Sequence, residues 1–262
     1  MKNKAFLYTL IVLIIGVFGL TGRAFAAPPL ITDDTGTQGK GKFQLQVTGQ
    51  YDHNKSEDFT NKQTVLNANL IYGVADTVDV LLGVPFLFWS SKDESTGANT
   101  SDGGVSDISL QVKWRFYEKD GLSFALKPGI TMPSGDESKG LGTGKATWSM
   151  FFITSKEAKP WDFHLNLGYI YNDNKLDLDQ RKSLWHISLA AEVEVVKDLK
   201  VVGNVGIQRS QDKASGSENR SFALGGLIYS ISEHLDFDAG AKLGLSKAEP
   251  DYSILAGLAF HF

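Results

Sequence analysis

Apolar and polar residues alternate along most of the chain with a period of two, from Phe43 to the final residue. In the first alternating segment, Phe43, Leu45, Val47 and Tyr51 share one face, and polar side chains, mainly glutamines, occupy the other. This pattern is typical of β-strands whose two faces meet different surroundings. We count twelve such segments; in the tenth, residues 220–231, the pattern leaves the apolar face ambiguous.

The apolar face carries no charged residue in any segment whose faces can be assigned, whereas the opposite face carries charges of both signs. A charge facing lipid at mid-depth costs about 2–4 kcal/mol in a membrane barrel, which accounts for this absence. The alternation therefore predicts an all-β fold, a transmembrane antiparallel up-and-down β-barrel of about 12 strands. Eleven residues per strand at about 3.4 Å each, tilted, rise roughly 28 Å, which matches the apolar band of such barrels.

The connections between the segments alternate in length, as they do in bacterial outer-membrane barrels. Long loops are expected on the outer side and tight turns on the periplasmic side, with both termini periplasmic. Pro85 and Pro128 lie within predicted strands, where proline has no N–H to donate to the neighbouring strand. A regular barrel does not accommodate them. We expect β-bulges at both prolines. The predicted long loops lie between residues 52 and 63, 90 and 104, 135 and 145, 173 and 182, and 210 and 219.

The first 26 residues have the pattern of a cleaved signal peptide: two lysines, an apolar run from Ala5 to Leu20, and the tripeptide Ala24-Phe25-Ala26. A membrane-anchoring helix is the alternative, but the run is short for a span. Cleavage after Ala26 leaves 23 basic and 30 acidic residues, a net charge of −7. We expect export to the outer membrane of a Gram-negative bacterium, with the barrel occupying residues 42–262.

Composition narrows the chemistry further. The chain has no cysteine, which excludes disulfides and thiol nucleophiles. Its net charge is negative, so it lacks the positive electrostatic potential that attracts nucleic acid. We predict no cofactor and no metal. The last strand ends in Leu258, Phe260 and Phe262, which resembles the terminal signal recognised by the barrel-assembly machinery. Expected partners are that machinery, outer-membrane lipid, lipopolysaccharide and a small solute.

Residues 30–43 carry a family resemblance. Thr32-Asp33-Asp34 is followed by Gln38-Gly39-Lys40-Gly41 and then by the first strand. This order, with the length of the chain and its terminal Phe262, resembles the outer-membrane family labelled "putative MetA-pathway of phenol degradation". The resemblance implies a transporter-like barrel associated by name with uptake of aromatic or other hydrophobic compounds.

The segment before the first strand, residues 27–41, is polar, rich in glycine and without strand period. It is either a flexible periplasmic leader or a plug folded into the lumen. As a plug, it would bring Asp33 and Asp34 to inward cations such as Lys113, Arg115, Lys127 or Lys242.

The polar faces supply the residues expected to line the lumen. Mixed charges there favour paired networks that narrow the channel over strong ion selectivity. Four apolar residues on the same faces indicate an apolar patch that could bind a small hydrophobic solute: Ile71, Leu81, Leu87 and Leu255. The predicted lining residues are Lys113, Arg115, Lys127, His164, Asn166, His186, Glu192, Glu194, Asn204, Asp236, Asp238 and Lys242.

These features predict a channel for passive uptake of small, aromatic or hydrophobic solutes, and not an enzyme. Two alternatives stay open at this point. His186 and Ser188 share one face, as in a lipid A deacylase-like hydrolase that acts on outer-membrane lipid. A structural barrel with a sealed lumen is the second alternative.

Overall fold

A computed structural model describes residues 28–175, 180–213 and 218–262, so the predicted signal peptide lies outside the described residues. Within these ranges, no helix is long and apolar enough to cross a membrane. A short 3-10 helix spans Glu137–Lys139. The strands are β1 (Phe43–Lys55), β2 (Phe59–Ala75), β3 (Val78–Asp93), β4 (Asn99–Val105), β5 (Ile108–Lys119), β6 (Leu122–Met132), β7 (Thr147–Ala158), β8 (Trp161–Tyr171), β9 (Ser183–Val196), β10 (Leu199–Gln208), β11 (Arg220–Ser232), β12 (Leu235–Gly244) and β13 (Tyr252–His261).

Each strand pairs antiparallel with its neighbours, and β1 pairs with both β2 and β13, which closes the sheet into a barrel. Strands β4 and β5 occupy one position in this ring, because both pair with β3. β4 covers Phe86–Lys92 of β3, and β5 covers Val78–Gly83. The described strands therefore form a closed barrel of twelve positions, which confirms the predicted fold class. Among the described strands, β4 keeps one free edge, because it pairs only with β3.

The barrel is inverted relative to a soluble protein, as the alternation predicted. Leu167, Leu189 and Val205 are exposed on the outer surface, at 43%, 50% and 50% of their full area. Their chain neighbours Asn166 and Ser188 are buried in the lumen. The ambiguous tenth segment, now β11, turns Leu227 and Tyr229 outward and Phe222, Leu224 and Ile228 inward. Its lumen face is apolar, which explains why hydropathy did not separate its two sides.

Two predicted long loops are wrong. β1 continues to Lys55 and β2 begins at Phe59, so residues 56–58 form a tight connection. β3 continues to Asp93 and β4 begins at Asn99, which leaves residues 94–98. Both hairpins extend past the apolar band at the end of the barrel that carries the long loops. Following the predicted topology, this end is called the outer end, and the end with the tight turns is called the periplasmic end. Outside lipid, both faces of a strand meet water, so the alternation that reveals a strand is lost there.

The bulge expected at Pro128 is wrong, because the register of β6 with β5 and with β7 does not shift there. At Pro85 the pairing of β3 with β2 keeps its register. On the other side of β3 the register shifts by one residue, since Gly83 pairs with Ser109 and Phe86 with Val105, so residues 84–85 face the three residues 106–108. Opposite Pro85, the barrel changes from β5 to β4, and the Ser106 N–H donates to the Pro85 carbonyl at 2.8 Å. At Pro128, the β5–β6 ladder is interrupted between the pairs Gln111–Gly129 and Trp114–Leu126 and resumes in the same register. A local gap in the ladder thus accommodates the missing N–H of Pro128.

Candidate functional site

The segment that precedes β1 lies inside the barrel. Thr32, Asp34, Thr35 and Thr37 are each exposed by 5% or less. From Lys40, beside Asp76 in a periplasmic turn, the segment rises to Pro29, deep in the lumen. It occupies one side of the barrel interior and makes most of its contacts through side chains of the wall.

Two facing glycines make room for the upper end of the segment. Pro29 is completely buried against Gly226 of β11 and Gly240 of β12, which pair with each other. A Cβ atom at Gly240 would lie 2.9 Å from both the Cβ and Cγ atoms of Pro29. Side chains do not approach this closely, so the absence of a side chain at Gly240 is what lets Pro29 fit. The neighbouring Leu30 packs against buried apolar residues of the lumen: Val202, Phe222, Leu224, Ile228 and Leu255.

Asparagines of the wall hold the backbone of the segment. The Asn204 side-chain oxygen accepts the N–H groups of Ile31 and Thr32 at 2.8 and 3.1 Å. Its amide nitrogen donates to the Thr32 hydroxyl at 2.6 Å. In the orientation that satisfies its amide, Asn166 pairs with both the N–H and the carbonyl of Asp33, at 2.7 and 2.8 Å. Two predicted lining residues therefore bind the segment as hydrogen-bond partners.

An ion cluster surrounds Asp33. Its carboxylate lies 2.8 Å from the Lys113 ammonium and 2.6 Å from that of Lys127. Lys113 also lies 3.5 Å from Asp34. Burial by itself would raise the pKa of Asp33, but the two lysines outweigh it and hold the pKa of this carboxyl well below its ordinary value. The cluster thus joins the segment to the adjacent strands β5 and β6 through charged groups.

Serines and a second carboxylate fix the rest of the segment. The Thr35 N–H donates to the Ser155 hydroxyl at 3.1 Å, and the Thr35 hydroxyl lies 2.5 Å from that of Ser123. Further toward the periplasm, the Gln38 N–H donates to both oxygens of Asp79 at 3.0 and 3.1 Å. These contacts come from β3, β6 and β7, so several wall strands hold the segment.

Other predicted lining residues have partners elsewhere. Arg115 lies 3.3 Å from Glu118 at the periplasmic end and does not meet the aspartates. Lys242 pairs at 2.6 Å with Glu249, which an outer loop places in the lumen. Arg115 and Lys242 therefore lie elsewhere in the lumen than Lys113 and Lys127, although all four residues stand on the polar faces of their strands. Glu194 is exposed near the periplasmic turn, where it accepts the Asp198 N–H.

The histidines take part in buried polar networks. His164 lies 2.8 Å from the Ser155 hydroxyl and 3.5 Å from Glu192, which also pairs with Lys200 at 2.9 Å. On the last two strands, His261 lies 2.9 Å from Asp236. Asp238 is buried close by, and its Oδ1 has no hydrogen-bond partner within the described ranges. Mixed charges thus line the periplasmic half of the lumen as connected groups.

The His186–Ser188 pair has the geometry of a hydrogen bond, with Nε2 and Oγ 2.9 Å apart. Nδ1 of His186 lies 3.2 Å from Gln208, a neutral group in place of the carboxylate that orients a catalytic histidine. Both side chains are buried in the lumen, away from the lipid-facing surface. A hydrolase of membrane lipid needs its nucleophile at that surface, so this placement opposes the lipid A deacylase-like alternative.

The outer mouth is partly covered by the loop of residues 133–146. Asp107, at the interruption between β4 and β5, accepts the N–H of Gly135 at 2.9 Å and both the N–H and hydroxyl of Thr143, at 2.8 and 3.0 Å. Leu141 of this loop is buried, and the Trp89 indole donates to the Lys139 carbonyl at 2.9 Å. The interrupted strand thus exposes a carboxylate that anchors the loop.

Sequence reasoning missed several residues that hold the segment or the loops. Asp79 stood out as the charged residue in an otherwise apolar strand, and this signal could have identified it. Ser123 and Ser155 carried no comparable signal, because small polar residues are common on every lumen face. Glu249 and Asp107 lie outside the alternating pattern, and their partners depend on how loops fold back into the barrel.

The family described as "Putative MetA-pathway of phenol degradation" matches residues 29–262 of this chain. No curated protein sequence matches this chain. Among solved structures, an outer membrane channel from Pseudomonas putida F1 is similar with a TM-score of 0.70 and 15% identity, covering 90% of this chain and all of that one. The β domain of the Bordetella autotransporter Brka is similar with a TM-score of 0.56 and 12% identity, covering 85% of this chain and all of that one. The KdgM porin in complex with disordered oligogalacturonate is similar with a TM-score of 0.50 and 7% identity, covering 84% of this chain and 99% of that one. At these identities the likeness shows the barrel fold alone.

Proposed function

We propose that this chain, which belongs to the family described as "Putative MetA-pathway of phenol degradation", is an outer-membrane channel. It would allow passive uptake of small solutes, including aromatic ones. The family description supports the aromatic class, and the fold is one that outer membrane channels and porins use. In this proposal the signal peptide directs export, and residues 28–38 form a plug that narrows the lumen.

The observation that carries the proposal is how the segment is attached. Within the described ranges, residues 28–38 make no backbone–backbone hydrogen bond to a strand; the first such contact is the Gly41 N–H donating to the Gly73 carbonyl. Side-chain ion pairs and hydrogen bonds hold the rest of the segment. It can therefore leave the lumen without breaking the ladder that closes the barrel, which is what a removable plug requires.

A disulfide lock tests this proposal in a chain that has no native cysteine. The hydroxyl oxygens of Thr35 and Ser123 lie 2.5 Å apart, so sulfur atoms at these positions are close to bonding distance. In planar bilayers, T35C/S123C should show low conductance when oxidised and higher conductance after reduction. The single variants T35C and S123C are matched controls, because neither can form the lock.

Uptake is measured separately by liposome swelling with phenol, sugars and salts. Reduced T35C/S123C should admit small solutes faster than the oxidised form. Equal conductance in the two forms, with the disulfide verified by mass spectrometry, would show that the segment is not a plug. Absence of both conductance and swelling in every form, and in a variant lacking residues 28–38, would support the sealed structural barrel instead.

A further inference from the structure

A cavity of about 230 Å³ separates the N-terminal segment from the wall formed by β1, β2, β3 and β5. The segment crosses the lumen on the other side, so this wall faces open space. Strand register arranges its side chains in two rows. One row reads Gln44, Ile71, Leu81 and Gln111, and the next reads Gln46, Asn69, Gly83 and Ser109.

The rows combine an apolar centre with hydrogen-bonding edges. Ile71 and Leu81 are direct neighbours, and an amide stands at each end of their row. Within the described ranges, the side chains of Gln46, Asn69 and Gln111 make no hydrogen bond to the protein, although all three line the cavity. An amide that faces a cavity without a protein partner offers both a donor and an acceptor to a bound molecule.

Gly83 lets the polar side chains of the second row approach each other closely. A Cβ atom at this position would lie 2.6 Å from the Ser109 hydroxyl and 2.9 Å from the Asn69 side-chain oxygen. The missing side chain lets the Ser109 hydroxyl and the Asn69 side-chain oxygen lie over the Gly83 backbone, at the edge of the cavity. A flat ring can lie in the cavity against the aliphatic pair while its substituents reach these polar groups.

The charges that border the cavity favour a neutral ligand. Lys113 and Lys127 are the cations of its lining, and both pair with Asp33 of the segment. Asp79, the other lining carboxylate, accepts the Gln38 N–H. Because these charges already have partners, the cavity offers no unpaired ammonium for an anionic solute.

We propose that this cavity is a binding subsite for a neutral monocyclic aromatic compound bearing hydroxyl groups. This inference rests on the proposed channel function and names where such a solute pauses on its way through the lumen. An apolar cavity of about 150 Å³ in another protein holds benzene, so 230 Å³ accommodates one ring and its substituents. The ring lies over Ile71 and Leu81, and the hydroxyl groups exchange hydrogen bonds with Asn69, Gln46 or Gln111.

Binding is tested by saturation-transfer NMR on the full-length mature barrel in detergent, with phenol, catechol, benzene and glycerol as probes. Leu81→Trp places a large side chain in the cavity and should weaken phenol and catechol binding at least tenfold. Leu82→Trp is the matched control, because Leu82 is the next residue and faces lipid. Should Leu81→Trp fail to fold, Gln46→Leu, Asn69→Leu and Gln111→Leu together remove the three unpaired amides without adding bulk. This triple variant should reduce binding of the two phenols to the level of benzene.

The outcomes separate this subsite from the channel proposal. Unchanged phenol binding in both the Leu81→Trp and the amide variants would overturn the subsite, as would glycerol binding as tightly as phenol. Conductance that depends on the disulfide lock, without phenol binding, would overturn the subsite and leave the channel standing. Phenol binding that is lost in Leu81→Trp, in a barrel that never conducts, would support the subsite and refute the channel.

Discussion

Replacing Asp33 by Asn removes the charge at the centre of the contact between the N-terminal segment and the wall. The side chains are nearly isosteric, so packing is preserved while the carboxylate is lost. Lys127 then keeps no ion-pair partner within the described ranges, with 15% of its side chain exposed. Lys113 keeps Asp34 at 3.5 Å. The substitution therefore leaves at least one largely buried ammonium without a compensating charge.

The expected cost follows from this burial. Removing one partner of a buried ion pair typically costs 3–5 kcal/mol, because the remaining charge stays desolvated. The retained Asp34 contact places the estimate at the low end, about 3 kcal/mol. Since 1.4 kcal/mol corresponds to a factor of ten, the equilibrium between the docked and undocked segment should shift about 150-fold toward the undocked state. Lys127→Met in the same chain removes the stranded charge and should reverse most of the shift.

The assay uses a single cysteine at position 35, which is buried when the segment is docked. When redocking is fast relative to modification, the rate at which a thiol reagent modifies Thr35→Cys reports the undocked fraction. The rate should rise about 150-fold in the Asp33→Asn background and fall back in Asp33→Asn/Lys127→Met. Together with Lys127→Met alone, these rates form a double-mutant cycle, for which we expect a coupling energy of about 2 kcal/mol.

An increase of less than about threefold in Asp33→Asn would refute the reasoning, because it limits the cost to about 0.7 kcal/mol, the range of an exposed pair. The pH dependence provides a second check. A carboxyl whose pKa is lowered on docking stabilises the docked state above its undocked pKa, and this contribution is lost as the pH falls through the docked pKa. Conductance of the unmodified protein should therefore not change between neutral pH and about pH 5.

Two further substitutions test the packing of the segment and the anchoring of the outer loop. Gly240→Ala should expel the segment, because its Cβ meets Pro29 at 2.9 Å, and Pro29→Gly in the same chain should restore docking. Gly225→Ala is the matched control, since its Cβ would meet no atom within 4 Å; equal conductance of the two alanine variants would contradict this explanation. Asp107→Ala removes three hydrogen bonds from the loop of residues 133–146 and should speed its cleavage by trypsin at least tenfold, while unchanged cleavage would show that other contacts hold the loop.

Part of the candidate site could be predicted from individual residues. Lys113 and Lys127 stood on the polar face of their strands, and Asp33 stood in a polar segment without strand period. Their attraction was foreseeable from charge alone. The same reasoning offered Arg115 and Lys242 as equal candidates. It could not separate the four cations, because strand alternation assigns a side chain to a face and gives no position around the lumen.

The prolines show a similar limit. A missing N–H at Pro85 and Pro128 requires some irregularity, and this much follows from covalent structure. Whether the strand bulges or the ladder is interrupted depends on the neighbouring strand. At Pro85 the neighbour changes from β5 to β4 and the register shifts by one residue, whereas at Pro128 a gap in the pairing is sufficient.

Except in β11, the sequence by itself determined which side chains face lipid and which face the lumen, and hence a closed barrel of about twelve strands. Lipid excludes charge from one face of every strand, and this requirement acts on each residue locally with a period of two. Tertiary structure alone decided which lumen residues meet, because such partners lie far apart in the chain: Asp33 meets Lys113 and Lys127, whereas Lys242 meets Glu249. Those pairings depend on the closure and register of the whole barrel and on how the N-terminal segment and the outer loops fold into it.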